Sequence, residues 1–577
     1  MGINKPISDI LNRIADILSI DEEGGVRFEV RAYRRAAMSI DSLEDDVADI
    51  YRKKGVEGLK EIDGVGEGIS KSIVEYIKTG KMKKYEKLKK LYPVDFENLT
   101  RIEGLGPKRV ALLYRRLGVK DINGLKQAVA SHKISALEGF GEKSESLILN
   151  GIARFESNKG RILLGDAMPE AERIIKFLIG SGCVNRARIA GSIRRMRETV
   201  GDIDILATSD SPEKVMELFS GMGEVESVIL SGKTKTTVKL NIGINCDLRV
   251  IDDKSFGAAL QYFTGNKFHN VKLRTIAIKK GFKLNEYGLF DKKGSNLASG
   301  KDEEWIYRRL GMEPMPAEMR EDRGEIDLSI KEGIKELVSL EDLLGDMHTH
   351  TKESDGSNSI EEMIAAAKKA GLSYIATTNH TKSLKVANGM DEARLASYFA
   401  HVDKLNDKLD GFAVLKGAEV DILKNGNLDL DSKALKGLDC ALGSVHSHFN
   451  MDKDAMTKRV IKAMESGMIH ILGHPTGRIL LGREGYGLDI HKVADAAEAN
   501  GVIIEINSSP ERLDISDSNI LDISDYKIMF AIDSDAHSVN HFGNLRYGVG
   551  TARRGWLGKD RILNALELNK LRKILSR

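Results

Sequence analysis

Seven times between residues 346 and 577 an apolar, strand-like run ends in metal-binding side chains, and a helical stretch follows. The runs end at His348-Thr349-His350 with Asp355 just beyond, at Asn379-His380, at Glu419, at His446-Ser447-His448, at His474, at Glu505 and Asn507, and at Asp535-Ala536-His537. No other feature limits the fold so strictly. Repeated strand–helix units make a parallel sheet, and polar residues gathered at the C-terminal ends of its strands are where a barrel keeps its active site. Imidazoles with bridging carboxylates suit manganese, zinc or iron better than magnesium or calcium. One histidine of this kind reads as an ordinary core or surface residue; repetition at matching strand ends argues for a shared site. His401, His491 and His541 fall outside the pattern and read as surface residues, and His470 as packed in its strand.

The remainder of the chain is chemically different. Only His132 and His269, of 13 histidines, precede residue 345. Residues 1–300 hold 51 Lys+Arg against 41 Asp+Glu and residues 301–577 hold 37 against 45, so the net +2 joins a basic half to an acidic one. A basic half points to a polyanionic partner. At 577 residues a few domains are expected. No apolar run of about 18 residues appears, so no membrane span is expected. The first residues lack the apolar core of a signal peptide, and Cys183, Cys246 and Cys440 are scattered. The expectation is a cytoplasmic chain without a disulfide framework.

Apolar residues Ile7, Ile10, Leu11, Ile14 and Leu18 recur at helical spacing near the start. Three related units follow: Ile62-Asp63-Gly64-Val65-Gly66, Ile102-Glu103-Gly104-Leu105-Gly106 (leading into Pro107-Lys108), and Leu137-Glu138-Gly139-Phe140-Gly141. A Gly-x-Gly hairpin that opens a helix leaves backbone N–H groups at a positive dipole end, which holds a phosphate without reading a base. Residues 51–120, with two of the copies, carry 18 basic against 9 acidic residues. The third copy has fewer basic neighbours and reads as mainly structural.

Between these regions, Asp202-Ile203-Asp204-Ile205 alternates with period 2, so the two carboxylates share one face of a strand and the isoleucines the other. Two carboxylates that close repel each other unless a hard cation lies between them. Taken alone, the pair also fits a solvated strand edge. Upstream, Gly191-Ser192 and three arginines suit a phosphate chain, and downstream Asp247 adds an acid in another strand-like run. Three acids on neighbouring strands can build a two-metal phosphoryl-transfer site.

Residues 1–316 resemble DNA polymerase family X, the DNA polymerase beta group, through Gly191-Ser192 with Arg195, Gly201-Asp202-Ile203-Asp204, Asp247-Leu248-Arg249, Tyr262-Phe263-Thr264-Gly265 and Asn285-Glu286-Tyr287. The resemblance implies that Asp202 and Asp204 bind both metals, and that Asp247 binds the catalytic one and helps take the primer 3′-hydroxyl proton. It implies that Gly191, Ser192 and Arg195 hold the triphosphate, that Tyr262, Phe263 and Gly265 line the sugar pocket, and that Asn270 and Arg274 approach the minor-groove side of the new pair. The Gly-x-Gly units resemble helix-hairpin-helix motifs, which puts Gly64, Gly66, Gly104, Gly106 and Lys108 on the DNA backbone. One departure is clear. The lysine that forms a Schiff base with an abasic sugar in the beta group is matched by Ser72, with Lys71 one step away, and Phe28 and Glu29 replace a histidine–lysine pair. One step turns a helical side chain by about 100°, so lyase activity is expected to be weak or absent.

Residues 346–577 resemble the PHP (polymerase and histidinol phosphatase) domain, a distorted seven-stranded (βα) barrel with a trinuclear metal site. The resemblance carries ligand roles onto His348, His350, Asp355, His380, Glu419, His446, His474, Asp535 and His537, and makes His448 and Arg478 candidates for the substrate phosphate. Asn379 replaces the usual aspartate before His380, which bears on metal tuning.

The expected organisation is multidomain. It comprises an α-helical DNA-binding domain with the first hairpin (1–92), a fingers-like helix-hairpin-helix domain (93–160), an α+β nucleotidyltransferase palm (161–250), a thumb-like domain (251–316), a charged linker (317–345) and the PHP barrel (346–577). The expected function is short-gap-filling DNA polymerase in repair, joined to a 3′-5′ exonuclease or 3′-phosphodiesterase that extends to abasic-site incision. Expected cofactors are Mg2+ or Mn2+ in the palm and up to three Mn2+ or Zn2+ ions in the barrel. Expected partners are gapped or primer-template DNA and dNTPs, with no membrane and a monomeric state. Two rival readings are a DNA-end-binding scaffold with a structural barrel, and a nucleotidyltransferase working on RNA or without a template.

Overall fold

The computed structural model describes residues 3–18, 26–41, 43, 46–100, 102–157 and 160–576. Two helical bodies come first. Helices Asn4–Leu18, Val26–Asp41, Val47–Lys60 and Glu67–Thr79 close over Ile7, Leu11, Ile14, Leu59 and Ile73. A second body, with helices Pro107–Leu117, Ile122–Ala130 and Glu142–Ser157, packs around Leu99, Leu113, Leu125 and Ile148. The periodic apolar positions of the sequence supply both cores.

The three hairpins are one turn built three times. Val65, Leu105 and Phe140 each donate their N–H to the carbonyl three residues back, Ile62, Ile102 and Leu137, at 3.0 Å. Gly64, Gly104 and Gly139 sit at φ +76°, +85° and +84°. Only glycine adopts that conformation without steric cost.

A five-stranded mixed sheet follows: β1 (Arg186–Ile189), β2 (Asp202–Thr208), β3 (Val225–Ser231), β4 (Lys235–Leu240) and β5 (Asn245–Val250), in the spatial order β1-β2-β5-β4-β3. Alternation sorts its faces. Ile203, Ile205, Cys246 and Leu248 point into an apolar cluster with Ile174, Leu178 and Phe219 from the flanking helices, which leaves the carboxylates on the opposite face. Beyond the sheet, helices Phe256–Thr264, Lys267–Lys279 and Glu303–Arg309 enclose Leu273, Ile306 and Tyr307. Residues 317–345 are built into the fold: Glu325 is fully buried and accepts from His269 Nδ1 at 2.6 Å, and Arg320 is buried against Glu303 at 2.6 Å.

The C-terminal part is a parallel barrel whose strands adjoin in sequence order: β6 (Gly345–Thr349), β7 (Tyr374–Thr377), β8 (Ala413–Asp421), β9 (Cys440–Ser444), β10 (Ile471–Leu472), β11 (Ile503–Asn507) and β12 (Phe530–Asp533). Closure comes where His350 N–H donates to Ala536 O at 2.8 Å, just beyond the ends of β6 and β12. Met347, Leu415, Leu442, Ile471 and Ile503 fill the interior, and Leu563, Leu571 and Leu575 plug its lower end. An apolar floor under a polar rim places the chemistry at the C-terminal strand ends. The expected fold class holds in full. No helix among the described residues is long and apolar enough to cross a membrane.

Sheet domain and barrel share a core. Leu513 and Tyr547 of the barrel belong to the apolar cluster beneath the five-stranded sheet. A Cβ on Gly550 would collide with Met196, and one on Gly165 with Pro510. These glycines let side chains of one body seat directly on the backbone of the other.

Candidate metal centres

Strands β2 and β5 run parallel in a register that sets Asp204 opposite Asp247. Asp202 lies two residues before Asp204 and on the same face, so three carboxylates converge. Burial, and then the charges of Asp202 and Asp247, push the Asp204 carboxyl up to about 6. That is the electrostatic signature of an anionic cluster lacking a counter-ion. Protein groups compensate in part: the Lys235 ammonium lies 3.0 Å from Asp247 Oδ2, and the neutral Thr237 hydroxyl donates to Asp247 Oδ1 at 2.6 Å. Gly191 faces the cluster at φ +60°, and a Cβ there would run into Asp204 Oδ2. Glycine at 191 is therefore required twice, by conformation and by space. Ser192 is half-buried in the short helix Gly191–Arg194 that starts at this turn.

Other residues expected around a nucleotide are occupied by protein partners. Arg195 donates through Nε to Glu321 at 2.9 Å and to the Thr264 carbonyl at 2.8 Å. Asn270 donates to the carbonyls of Tyr262 (2.7 Å) and Gly265 (3.0 Å) and accepts from Gln261, so its amide shapes the Tyr262–Gly265 turn. Tyr262 and Phe263 meet edge to face at 5.1 Å, and Arg274 donates to Asn270 O at 3.3 Å. A Cβ on Gly265 would collide with Asn270.

In the barrel the nine expected ligands form one group. Their donor atoms fall into three overlapping sets: His350, Asp355, His380 and His537; His348, His350 and Asp535; and His380, Glu419 and His446. His474 Nε2 joins Glu419 Oε1 at 2.8 Å. Glu419 is the hub, with Oε2 2.7 Å from His380 Nδ1 and 3.4 Å from His348 Nε2. His348 Nε2, both ring nitrogens of His350, His380 Nδ1, Glu419 Oε2 and His474 Nδ1 are buried with no well-aligned hydrogen bond, although several of them face one another at ion-pair distance. Leaving such atoms unmatched is costly. The donor set therefore fits several cations, which would satisfy these atoms together.

Electrostatics agree. Burial opposes protonation of His380 and His446, but Glu419 with Asp355 or Asp421 outweighs it and lifts them to about 10 and about 9. His350 goes the other way, to about 3, because burial and then His537 and His380 disfavour its charge. Asp535 sits at φ +53° and His474 at φ +25°, backbone strain of the kind that functional sites hold.

Sequence reading missed the residues that aim these ligands. Glu505 accepts from His348 Nδ1 at 2.6 Å, and Asp421 from His446 Nδ1 at 2.8 Å, fixing which ring nitrogen faces the group. Glu505 was visible only as an acid at a strand end, and Asp421 carried no signal. Asn379 accepts from the Thr351 N–H and the Ser354 hydroxyl, both at 2.8 Å, and so holds the loop that carries Asp355. Arg512 Nε stands 3.8 Å from Asp535 Oδ2. Of the two residues expected beside a substrate phosphate, His448 is exposed on the loop after His446, and Arg478 donates to the carbonyls of Arg512 and Leu513 and to Glu198 of the sheet domain (2.8 Å to Glu198).

Gly66 and Gly106 cap their helices with open space before them. The second hairpin helix has no acid in its first turn and exposes Lys108; the first has Glu67, and the third has Glu142 and Glu145. Lys71 pairs with Glu67 at 2.7 Å on the exposed face of its helix, and Ser72 donates to Gly68 O.

A buried ionic chain joins the turn beside the sheet centre to the barrel. Glu321 receives Arg195 and, at 2.9 Å, Arg554 of the barrel; Arg554 also donates to Arg195 O at 2.7 Å and pairs with Asp517 at 2.7 Å. Burial would raise the Glu321 carboxyl, but Arg554 and Arg195 hold it down at about 2.

Comparison with known proteins matches four parts of the chain. Residues 3–82 match a helix-hairpin-helix domain, 96–154 a SAM-like helix-hairpin-helix tandem, 259–321 the DNA polymerase beta thumb and 346–509 the PHP domain. The chain is 34% identical over 575 residues, 99% of either protein, to the "DNA polymerase/3′-5′ exonuclease PolX" of Bacillus subtilis (strain 168). Its C-terminal part is 32% identical over 244 residues to a "Probable phosphatase" of Thermoanaerobacter sp. (strain X514), covering 40% of this chain and 94% of that protein. A "Probable phosphatase" of Tolumonas auensis is 31% identical over 230 residues, 38% of this chain and 88% of its own.

Proposed function

This chain belongs to the family of the DNA polymerase/3′-5′ exonuclease PolX, and on that premise we propose that it fills short gaps in DNA at the sheet and trims 3′ ends at the barrel. Asp202, Asp204 and Asp247 would hold Mg2+ or Mn2+, and Asp247 would accept the proton of the primer 3′-hydroxyl. The turn at Gly191 and Ser192 would receive the triphosphate of a dNTP, with Arg195 behind it. The second hairpin, through Gly104, Gly106 and Lys108, would grip the DNA backbone, with Gly64 and Gly66 doing the same in the first.

In the barrel the nine ligands would hold up to three Mn2+ or Zn2+ ions. Bound there, such ions neutralise phosphate oxygens and acidify water, which phosphodiester hydrolysis requires. The protein's part is to fix the donors: Glu505 and Asp421 orient His348 and His446, and the Asn379 loop presents Asp355. Arg512, beside Asp535, is the better placed cation for a substrate phosphate; Arg478 faces the sheet domain. The observation that carries the hydrolytic half is the group of buried nitrogen and oxygen atoms around Glu419 that lack a well-aligned hydrogen bond. Bound cations explain them, and open positions on such cations would let a phosphodiester in. The paired Lys71 supports weak or absent lyase activity.

A labelled gapped duplex with Mn2+, with and without dNTPs, tests both halves. Asp204→Ala and Asp247→Ala should abolish extension and spare 3′ trimming, and His348→Ala should do the reverse. Both activities surviving either change would refute the assignment. Sedimentation with and without DNA tests the expected monomer.

A further inference from the structure

A cleft of about 1610 Å³ separates the N-terminal helical body from the mouth of the barrel. It exceeds the roughly 300–1,000 Å³ of a small-molecule pocket, so its natural occupant is a polymer. One wall is a single face of helix Val26–Asp41, where Arg31, Arg35 and Met38 line the cleft at positions i, i+4 and i+7. Phe28, one turn before Arg31, continues that stripe: its ring is 76% exposed, with the Arg31 guanidinium 4.7 Å above it. Asp63 at the tip of the first hairpin holds Arg35 at 2.5 Å. The opposite wall is the barrel rim, with Lys352 and Asn358 near Asp355, itself one of the grouped donors, and the helix Ile360–Lys369 that leads away from it to Lys369; Glu61, Asp63 and Glu362 line the cleft as well, so its charges are balanced.

We propose that this cleft is the binding channel for an unpaired DNA 3′ tail, and that Phe28, Arg31, Arg35 and Met38 position that tail for the barrel centre. The inference rests on the hydrolytic reading of the barrel. A phosphodiester seated beside Asp355 must continue outward, and the cleft is the exit that Asp355 lines. An exposed phenyl ring under an arginine, followed by a second arginine and a methionine, is a surface for stacking bases and tracking a backbone. Stacked pairs in a duplex offer no base face to such a stripe, so the occupant is single-stranded. On the facing wall Lys352 and Lys369 stand against Asp355 and Glu362, so the aromatic and arginine stripe, more than net charge, would hold the tail.

The test uses the full chain and a duplex with a four-nucleotide unpaired 3′ tail carrying 5-iododeoxyuridine. Irradiated in EDTA, where hydrolysis plays no part, the tail should crosslink to peptides spanning residues 26–41. Crosslinks confined to the sheet domain would overturn the proposal. In parallel, Phe28→Ala/Met38→Ala should raise the KM for tail trimming about tenfold, since each stacked base contributes on that scale, with little change in kcat. An unchanged KM would also overturn it. Wild-type protein that binds the tail in the cleft but releases no nucleotide with Mn2+ would refute the hydrolytic reading and retain the channel as a binding site.

Discussion

Gly191 is the residue on which the sheet centre turns. Its left-handed φ and the absence of a Cβ let the turn lie directly against Asp204. Gly191→Ala should cut extension at least 100-fold while leaving 3′ trimming near wild type, measured on one gapped substrate; comparable loss of both would mean a folding defect. The alternation that exposes Asp202 and Asp204 was legible because a strand has only two faces. The engagement of Arg195, Asn270 and Arg478 by protein groups was not, because it depends on partners up to 280 positions away. The barrel histidines allow a pH prediction. His380 and His446, lifted to about 10 and about 9, contribute stability to the metal-free chain that is full below pH 6.5 and lost as pH rises through those values. Asp355, Glu419 and Asp535, all held low, contribute above their ordinary range near 4 and lose it on acidification. Melting in EDTA should therefore fall between pH 6.5 and pH 10, and saturating Mn2+ should flatten that decline. An equal slope with and without metal would show that these rings are not the ligands.

Among the elements, the three hairpins show how far a motif reaches. Their shared turn was readable from the Gly-x-Gly spacing, since a left-handed residue there has to be glycine. Their difference lies in the first turn of the following helix. Glu145 of the third copy is committed to the Ser135 N–H and His132 at 2.9 and 2.8 Å, whereas the second copy leads with Pro107 and Lys108. Lys108→Ala should weaken gapped-duplex binding a few-fold and flatten its salt dependence by about one in log–log slope. Anisotropy titrations at several KCl concentrations check this, and an unchanged slope would remove Lys108 from the phosphate contacts. At the barrel, repetition showed strand–helix units with polar residues at the strand ends, and the seven-stranded barrel came from the resemblance to the PHP domain. The Glu505 and Asp421 contacts came from neither, because side chains 157 and 25 positions apart meet only after closure.

For the molecule as a whole, the junction was legible only in outline. Residues 317–345 read as a charged linker packed along both parts; within it Arg320 and Glu325 are buried against Glu303 and His269, and Glu321 reaches Arg554 of the barrel. Charge is a poor guide when every charge finds a partner. Arg554→Ala would leave Glu321 and Asp517 partly uncompensated in the interior, a loss of about 3–5 kcal/mol for a broken buried pair. It should lower the melting temperature and reduce extension more than trimming, because Arg554 also holds the Arg195 carbonyl. Equal losses in the two reactions would deny the barrel a part in the sheet centre.

The seating of Leu513 and Tyr547 beneath the sheet sets a timetable for synthesis. Strand β5 ends at Val250, and Tyr547 leaves the ribosome about 300 residues later. At roughly 5–20 residues per second, the nascent sheet waits on the order of 15–60 s with part of its apolar underside open. The last 65 residues are thus the closing step of a domain finished, by sequence position, long before them.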